Sequence, residues 1–332
     1  MSTESPILLE GQEVSSHQCN KEKQGPQFIF AIGDIHGHTE ELGILLRKIT
    51  RYMQDYPGQS FQVVTLGDYL NRGPDAKGVL DRLIAFRNAL PEYGKLITIK
   101  GNNDVAVLDF MAEEDSAACH EKYQQLVRKG LLQTLASYGW FQNPNVFPPS
   151  DAEALSARNY LRTFFGGGHR DFLEGLITSH TVRLAHENLL FCHGGVDVSK
   201  PLEEQDDAVL LGMDKKGPNG LKISKEFART SGAFLKDSGS RQYTVVHGHT
   251  IIGRYPDITD GRCSVDTGCY KKGGALSCLI MADGVPIDVL ACSNLYVAFS
   301  REAMVTPDTW PPRKTWKGHF LTWVHERLKN SP

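Results

Sequence analysis

Five apolar runs in this chain end in the same way, on glycine together with histidine, aspartate or asparagine. The five ends read GDIHGH, GDYLNRG, GNND, CHGG and HGHT, and they begin at Gly33, Gly67, Gly101, Cys192 and His247. Any one of them could be an ordinary turn, because Asn, Asp and Gly tolerate left-handed backbone conformations and bond their own backbone. Five of them in one chain indicate a shared site rather than five unrelated turns.

The first three runs alternate with helical patterns. Residues 28–33, 61–67 and 96–100 have the short apolar composition of buried strands, whereas residues 39–56 and 77–90 carry apolar side chains at helical spacing. This alternation predicts βαβ units and a mainly parallel sheet, whose ligand sites lie at the carboxyl ends of the strands. The polar ends of the runs should therefore meet at one edge of a sheet.

The rest of the chain divides into segments of different character. We predict a flexible arm over 1–26, a main domain over 27–300 that contains a helical insertion or cap over 105–181, and a tail with a short helix over 301–332. Further strands are predicted at 189–195, 243–250, 263–268, 275–281 and 286–292. The last three lie close together in the sequence, so we expect them to pair as an antiparallel meander.

Composition excludes several classes of protein. The 332 residues are 40% hydrophobic, which is enough for a sizeable core. The seven cysteines include no C-x-x-C pair and argue against a disulfide framework or a zinc ribbon. The net charge of -3 leaves no basic stripe for a nucleic-acid polymer, although a negatively charged small substrate remains compatible. Without a leader-like or membrane-length apolar segment, we expect a cytoplasmic protein with no membrane partner.

The polar side chains at the five ends suit a metal site. Carboxylate, imidazole and amide ligands without thiolate fit Mn²⁺, Fe²⁺ or Zn²⁺ rather than a soft structural zinc. One carboxylate can bridge two such ions about 3.5 to 4 Å apart, and the pair then clamps a phosphoryl group and acidifies a water between them. The residue types therefore favour metal-assisted phosphate chemistry.

The order of the motifs resembles that of a known family. GD-x-HG, GD-x-x-x-RG, GN-x-D/E, HGG and HGHT, followed by VDTG, are similar to the calcineurin-like metallophosphoesterase superfamily, and within it to the phosphoprotein phosphatase (PPP) family. That family includes bacterial serine/threonine phosphatases and diadenosine tetraphosphatases. The likeness runs from about Phe28 to Leu290, with the helical insertion unmatched. It implies an α/β fold, a four-layer αββα sandwich of mixed sheets with the metals at its top edge.

The resemblance also implies roles for individual residues. Two divalent ions, Mn²⁺ first and Fe²⁺ or Zn²⁺ as alternatives, would be held by Asp34, His36, Asp68, Asn102, His193 and His249, with Asp68 as the bridge. Arg72 and Asn102 would bind the substrate phosphate. His247 is expected to pack beside the site. The implied activity is a phosphatase that hydrolyses phosphomonoesters or phosphoanhydrides through a hydroxide that bridges the metals.

Two positions depart from the family pattern. In the family a histidine of the third motif protonates the leaving oxygen, and an aspartate of the second motif orients it. Asn103 and Asn71 occupy these catalytic positions here. An amide has no useful proton to donate, so general-acid help of about 10²- to 10⁴-fold should be missing unless Asp104 or His38 supplies the proton. Two amides can hydrogen-bond to each other, which suggests a matched replacement.

A second phosphate-binding arginine of the family is also absent. Ser231 lies nearest its position in FARTSGAFL, so Arg229 is our candidate, with Arg241 and Lys271 as alternatives. Two hypotheses follow. The first is an enzyme that prefers good leaving groups such as aryl phosphates, phosphotyrosine or phosphoanhydrides, and the second is a catalytically impaired phosphatase-fold protein that binds phosphorylated ligands.

Overall fold

The computed structural model describes residues 25–141, 150–185, 188–213, 243–259 and 261–293. Its strands are β1 Phe28–Ile32, β2 Phe61–Thr65, β3 Gly94–Thr98, β4 Ser179–Arg183, β5 Asn188–Cys192, β6 Tyr243–His247, β7 Asp257–Thr259, β8 Arg262–Ser264, β9 Ala275–Ala282 and β10 Val285–Ser293. Its α-helices are α1 Thr39–Gln54, α2 Ala76–Ala89, α3 Asn102–Ala112, α4 Ser116–Arg128, α5 Leu131–Ser137, α6 Asp151–Phe164, α7 Gly168–Glu174 and α8 Asp207–Leu210. The predicted tail and all but the last two residues of the predicted arm lie outside these ranges.

The strands form two mixed sheets of five. The first has the order β10-β9-β1-β2-β3 and the second the order β4-β5-β6-β8-β7. In the first sheet β1, β2 and β3 are parallel, as the alternation predicted, while β9 and β10 form an antiparallel hairpin beside β1. The prediction of a meander over the last three strands was wrong. Residues 262–264 pair in parallel with β6 in the second sheet, because the long β9–β10 hairpin is complete without them.

Strand β1 shows how the layers are built. Phe28, Phe30 and Ile32 join a core with α1, α2 and the helices between β3 and β4, whereas Ile29 and Ala31 point into a second core shared with the other sheet. This period of two places one sheet face against helices and the other against a sheet. The predicted α/β sandwich of two mixed sheets is therefore confirmed. Helix α8 lies on the outer face of the second sheet, where Leu210 packs against Leu190 and Val245.

Helices α3 to α7 belong to the part of the chain that connects β3 of the first sheet to β4 of the second. Helical structure runs from Asn102 to Glu174 with breaks, but Ser179–Arg183 forms β4, so the last three residues of the predicted helical segment 105–181 lie in a strand. No helix within the described ranges is long and apolar enough to cross a membrane.

The strand order brings the five polar ends together. Ile32, Thr65 and Thr98 are in register at the ends of β1, β2 and β3, and Cys192 is in register with His247 at the ends of β5 and β6. All five strands are parallel to their neighbours within this group, so their carboxyl ends share one edge of the sandwich. The loops that leave this edge carry the five motifs.

Candidate metal centre

Two groups of buried or half-buried side chains meet at this edge. Potential ligand atoms of Asp34, His36 and Asp68 all lie within 4.8 Å of one another. His36 Nε2 is 4.0 Å from Asp34 Oδ2 and 3.3 Å from Asp68 Oδ2. These three residues come from the loops after β1 and β2, as the sequence predicted.

The second group lies on the other side of Asp68. His193 Nε2 is 3.0 Å from Asn102 Oδ1, 3.2 Å from His249 Nδ1 and 3.6 Å from Asp68 Oδ1. The backbone N–H of His249 donates to Asp34 Oδ1 at 3.0 Å, which ties the last motif to the first. One oxygen of Asp68 thus faces each group.

The backbone at the site is unusual. Positive φ angles occur at His36 (46°), Asp68 (53°), Asn71 (67°), Arg72 (64°) and His249 (64°). Within the described ranges, the remaining non-glycine residue of this kind lies in the β9–β10 turn. Such conformations cost about 1 to 3 kcal/mol each and persist where the surroundings impose them, and they cluster at functional sites. Their concentration here supports a site that requires a fixed shape.

Asp104 holds two of the loops together. Its Oδ1 accepts from the N–H groups of Tyr69 and Leu70, and its Oδ2 accepts from those of Asp68 and Gly101. A Cβ on Gly101 would lie 2.2 Å from Asp68 N, so this close approach requires glycine. Burial and Asp68 raise the pKa of Asp104, while the N–H donors oppose that shift. Both oxygens accept from backbone N–H groups, which makes Asp104 a poor choice for the missing proton donor.

The other suggested donor, His38, lies at the start of α1. Its Nδ1 is 3.6 Å from Glu41 Oε2, and its side chain lies against the backbone of Gly73. It is the N-cap residue of α1 but makes no capping hydrogen bond.

The two asparagines contact each other, as the sequence suggested. Asn71 Nδ2 donates to Asn103 Oδ1 at 3.4 Å, and Asn103 Nδ2 donates to Asp68 Oδ2 at 2.6 Å. A third residue completes this network. Thr134 Oγ1 accepts from the N–H of Asn71 at 2.8 Å and donates to Asn71 Oδ1 at 3.1 Å. Sequence reasoning missed Thr134 because it lies 63 positions away, in a helical segment whose periodicity does not reveal which residue faces the site.

Thr134→Val should lower the free energy of unfolding by about 1 to 3 kcal/mol, because the buried N–H of Asn71 loses its acceptor. Urea denaturation measures this change. The control is Thr163→Val at an exposed position of α6, where the hydroxyl bonds a carbonyl of its own helix. Equal stabilities of the two variants would contradict the role assigned to Thr134.

The hydrogen bonds of His36 and His193 leave one nitrogen of each ring facing Asp68. His36 Nδ1 donates to the carbonyl of Leu70 at 2.9 Å and His193 Nδ1 to that of Leu66 at 2.7 Å, so each Nε2 faces the Asp68 carboxylate. Burial lowers the pKa of His36 to about 4, so its ring is neutral at pH 7. A neutral Nε2 and a carboxylate oxygen present lone pairs to each other, an arrangement that a cation between them stabilises.

The carboxylates give the same indication. Burial, together with Asp266 and Asp68, raises the pKa of Asp34. Burial opposes ionisation of Asp68 as well, but His193 and His36 outweigh it and lower its pKa to about 2. Buried acids beside the neutral ring of His36 are short of positive charge, so the residues present fit divalent cations.

An aromatic ring sits at the mouth of the site. The guanidinium of the exposed Arg72 lies 4.2 Å from the centre of the Tyr270 ring, which in turn contacts the His36 ring edge-to-face at 4.9 Å. Tyr270 follows the VDTG motif and was not predicted from the sequence. His247 is fully buried, and its Nδ1 lies 2.9 Å from the carbonyl oxygen of Gly248, as expected for a packing residue. Arg229 and Arg241 lie outside the described residues.

The family model for calcineurin-like phosphoesterases matches residues 29–279, which is most of the chain. The chain belongs to this family. The matched segment contains the five motifs and both groups of buried side chains. Calcineurin-like phosphoesterases generally use divalent metals, in agreement with the donor set described above.

Solved structures with a similar arrangement include a candidate diadenosine tetraphosphatase, at 21% identity and a TM-score of 0.48, covering 82% of this chain and 96% of that one. A hypothetical protein from Pyrococcus horikoshii OT3 is 12% identical with a TM-score of 0.44, covering 80% and 87%. A cold-active protein-tyrosine phosphatase from a psychrophilic Shewanella species is 16% identical with a TM-score of 0.40, covering 80% and 78%. None of the curated protein sequences compared gave a significant match. The family assignment therefore rests on the family model.

Proposed function

We propose that this calcineurin-like phosphoesterase is a phosphatase with two divalent cations, Mn²⁺ in the first place and Fe²⁺ or Zn²⁺ as alternatives. Asp34 and His36 would hold one cation, Asn102, His193 and His249 the other, and Asp68 both. The observation that carries this proposal is the position of Asp68, whose Oδ2 is 3.3 Å from His36 and whose Oδ1 is 3.6 Å from His193. When bound, the cations would supply Lewis acidity and an acidified water as nucleophile.

Arg72 would bind the substrate phosphate. It is exposed at the rim, its guanidinium lies over the Tyr270 ring at 4.2 Å, and this planar group can donate two hydrogen bonds to phosphate oxygens. Asn102 would add an amide contact to the same group.

Arg72→Met should raise the KM for an aryl phosphate and the inhibition constant of inorganic phosphate by about 10- to 100-fold, because a charge-assisted bidentate contact is lost. The matched control is Arg87→Met, since the exposed Arg87 also lies over an aromatic ring, at 5.9 Å from that of Phe172. Steady-state kinetics measures both constants. Similar changes in the two variants would contradict a direct role of Arg72.

The Asn71–Asn103 pair defines which substrates suit the site. Asn103 contacts Asp68 at the position where the family places its proton donor, and an amide cannot protonate a leaving oxygen. Esters and anhydrides whose leaving groups depart as stable anions need least protonation. We therefore propose aryl phosphates, phosphotyrosine and phosphoanhydrides as the substrate classes that react fastest.

The test is turnover of an aryl phosphate by the purified protein with added Mn²⁺ and with a chelator. Turnover that requires the metal supports the phosphatase. Tight binding of inorganic phosphate in the presence of Mn²⁺, with no turnover of aryl phosphates or phosphoanhydrides, would overturn it in favour of the alternative, a phosphatase-fold protein that binds phosphorylated ligands. The asparagine pair is the observation that favours this alternative.

A further inference from the structure

The corner between α4 and α5 reaches the metal centre from the helical segment. Lys129 is the C-cap residue of α4, and its N–H donates to the carbonyl of Leu126 at 2.9 Å. Gly130 follows with a φ of 93°. A Cβ on Gly130 would lie 2.4 Å from the backbone nitrogen of Arg72. The corner therefore packs directly against the residue that we propose to bind phosphate.

Lys129 is a half-buried cation beside the site. Its charge interacts with those of Asp68 and Arg72, and it lowers the pKa of His249 after the larger effects of burial and His193. Burial lowers the pKa of Lys129 itself. Its position in the corner that packs against Arg72 was not evident from the sequence, because it lies in the segment that the family motifs do not cover.

Lys129 also differs from other lysines of the fold. Lys77 lies 2.7 Å from Asp81, and the buried Lys122 lies 2.8 Å from both Asp109 and Glu113. Lys129 has no carboxylate within 4.0 Å among the residues that the structure describes. A partly desolvated ammonium group without a carboxylate in direct contact is unfavourable, and an anion that enters the site would compensate its charge.

We propose that Lys129 binds the phosphate group of the substrate together with Arg72. This inference rests on the proposed function, and it assigns to the helical segment the second phosphate-binding cation that the family pattern lacks here. Lys271, one of the alternatives named from the sequence, is exposed, and its Nζ lies 5.9 Å from the centre of the Tyr270 ring. The α4–α5 corner that carries Lys129 packs against the backbone of Arg72, and the charge of Lys129 interacts with that of Asp68.

The experiment measures inorganic phosphate binding to the Mn²⁺-loaded full-length protein by titration calorimetry. Lys129→Met should weaken phosphate binding by about 10-fold, and Lys129→Arg should retain an affinity within about 3-fold of the wild type, because the charge is kept. Lys77→Met is the matched control and should have no effect, since Lys77 pairs with Asp81 on an exposed face. The Mn²⁺ affinity of Lys129→Met should not fall, because Lys129 is not placed among the ligands and its removal takes away a positive charge that would repel the cations.

Three results would overturn the inference. An unchanged phosphate affinity in Lys129→Met, with a loss in Arg72→Met, would remove the role of Lys129 and leave the proposed function intact. A parallel loss of phosphate affinity and thermal stability that Lys129→Arg does not restore would show a structural role. A wild-type protein that binds no phosphate with Mn²⁺ present would overturn both proposals. Arg229→Met, measured alongside, shows whether the candidate named from the sequence accounts for the binding instead.

Discussion

Asp68→Asn is expected to lower kcat on an aryl phosphate by about 10³-fold or more at saturating Mn²⁺. Asp68 places one oxygen near His36 and the other near His193, so it is positioned to serve both cations. An asparagine offers one neutral oxygen in place of two charged ones and cannot bridge two cations. A loss of several kcal/mol of charge stabilisation in the transition state lowers the rate by orders of magnitude. The number of Mn²⁺ ions bound per chain should fall at the same time.

The matched control is Asp81→Asn, which makes the same chemical change at an exposed residue paired with Lys77. It should leave kcat within about 2-fold of the wild type, as surface pairs contribute little. Asn103 donates to both oxygens of Asp68, so the substitution disturbs this network. Circular dichroism is therefore needed to check that the Asp68 variant is folded. A folded Asp68→Asn protein with metal-dependent activity close to that of the wild type would exclude the two-metal proposal.

The second large effect is a gain. Asn103→His combined with Asn71→Asp is expected to raise kcat on alkyl phosphates by about 10²-fold or more, because it introduces a proton donor and the carboxylate that orients it. The geometry suits the change, because Asn71 and Asn103 already contact each other at 3.4 Å and Thr134 can donate to an oxygen at position 71 as it does now. Aryl phosphates should gain far less, since their leaving groups need no proton.

Each single change should give much less than the pair. A histidine at 103 without its carboxylate is poorly oriented, and a carboxylate at 71 without the imidazole faces an amide and adds negative charge to a buried site. Rates of the four proteins on one alkyl ester form a complete double-mutant cycle. Additive single effects, or no gain in the double variant, would show that the proton comes from elsewhere.

Much of the site could be predicted because its ligands follow strands. An apolar run that ends in glycine and a polar residue marks the carboxyl end of a strand, and parallel strands bring such ends to one edge. Asp34, Asp68 and Asn102 were located on this basis, and the structure places them together with the three histidines. The same reasoning gave the parallel pairing of β1, β2 and β3, but it placed all five ends on one sheet, whereas those of β5 and β6 belong to the second sheet.

Other features carried no such signal. Strand β7 has three residues and is too short for a period of two to identify it. Strand β8 was predicted at 263–268, but it has only three residues, too few to assign its sheet. Thr134, Lys129 and Tyr270 lie far along the sequence from Asn71 and Arg72, near which they are found in the fold. Helical periodicity identifies the buried face of a helix, but it does not show which residue of the helix or of the following turn lies near the site. Asp104 was suggested as a proton donor from its position in GNND, and only its hydrogen bonds show that it fixes the backbone instead.

The left-handed backbone at position 71 has a consequence for how such a site can evolve. At a φ of 67°, aspartate and asparagine are among the few side chains with small conformational cost, and they have nearly the same shape. An exchange between them alters charge and proton affinity while the loop that carries Arg72 keeps its course. The charge at position 71 can therefore change without a change in the course of this loop, whereas a new substrate preference also requires a proton donor at position 103.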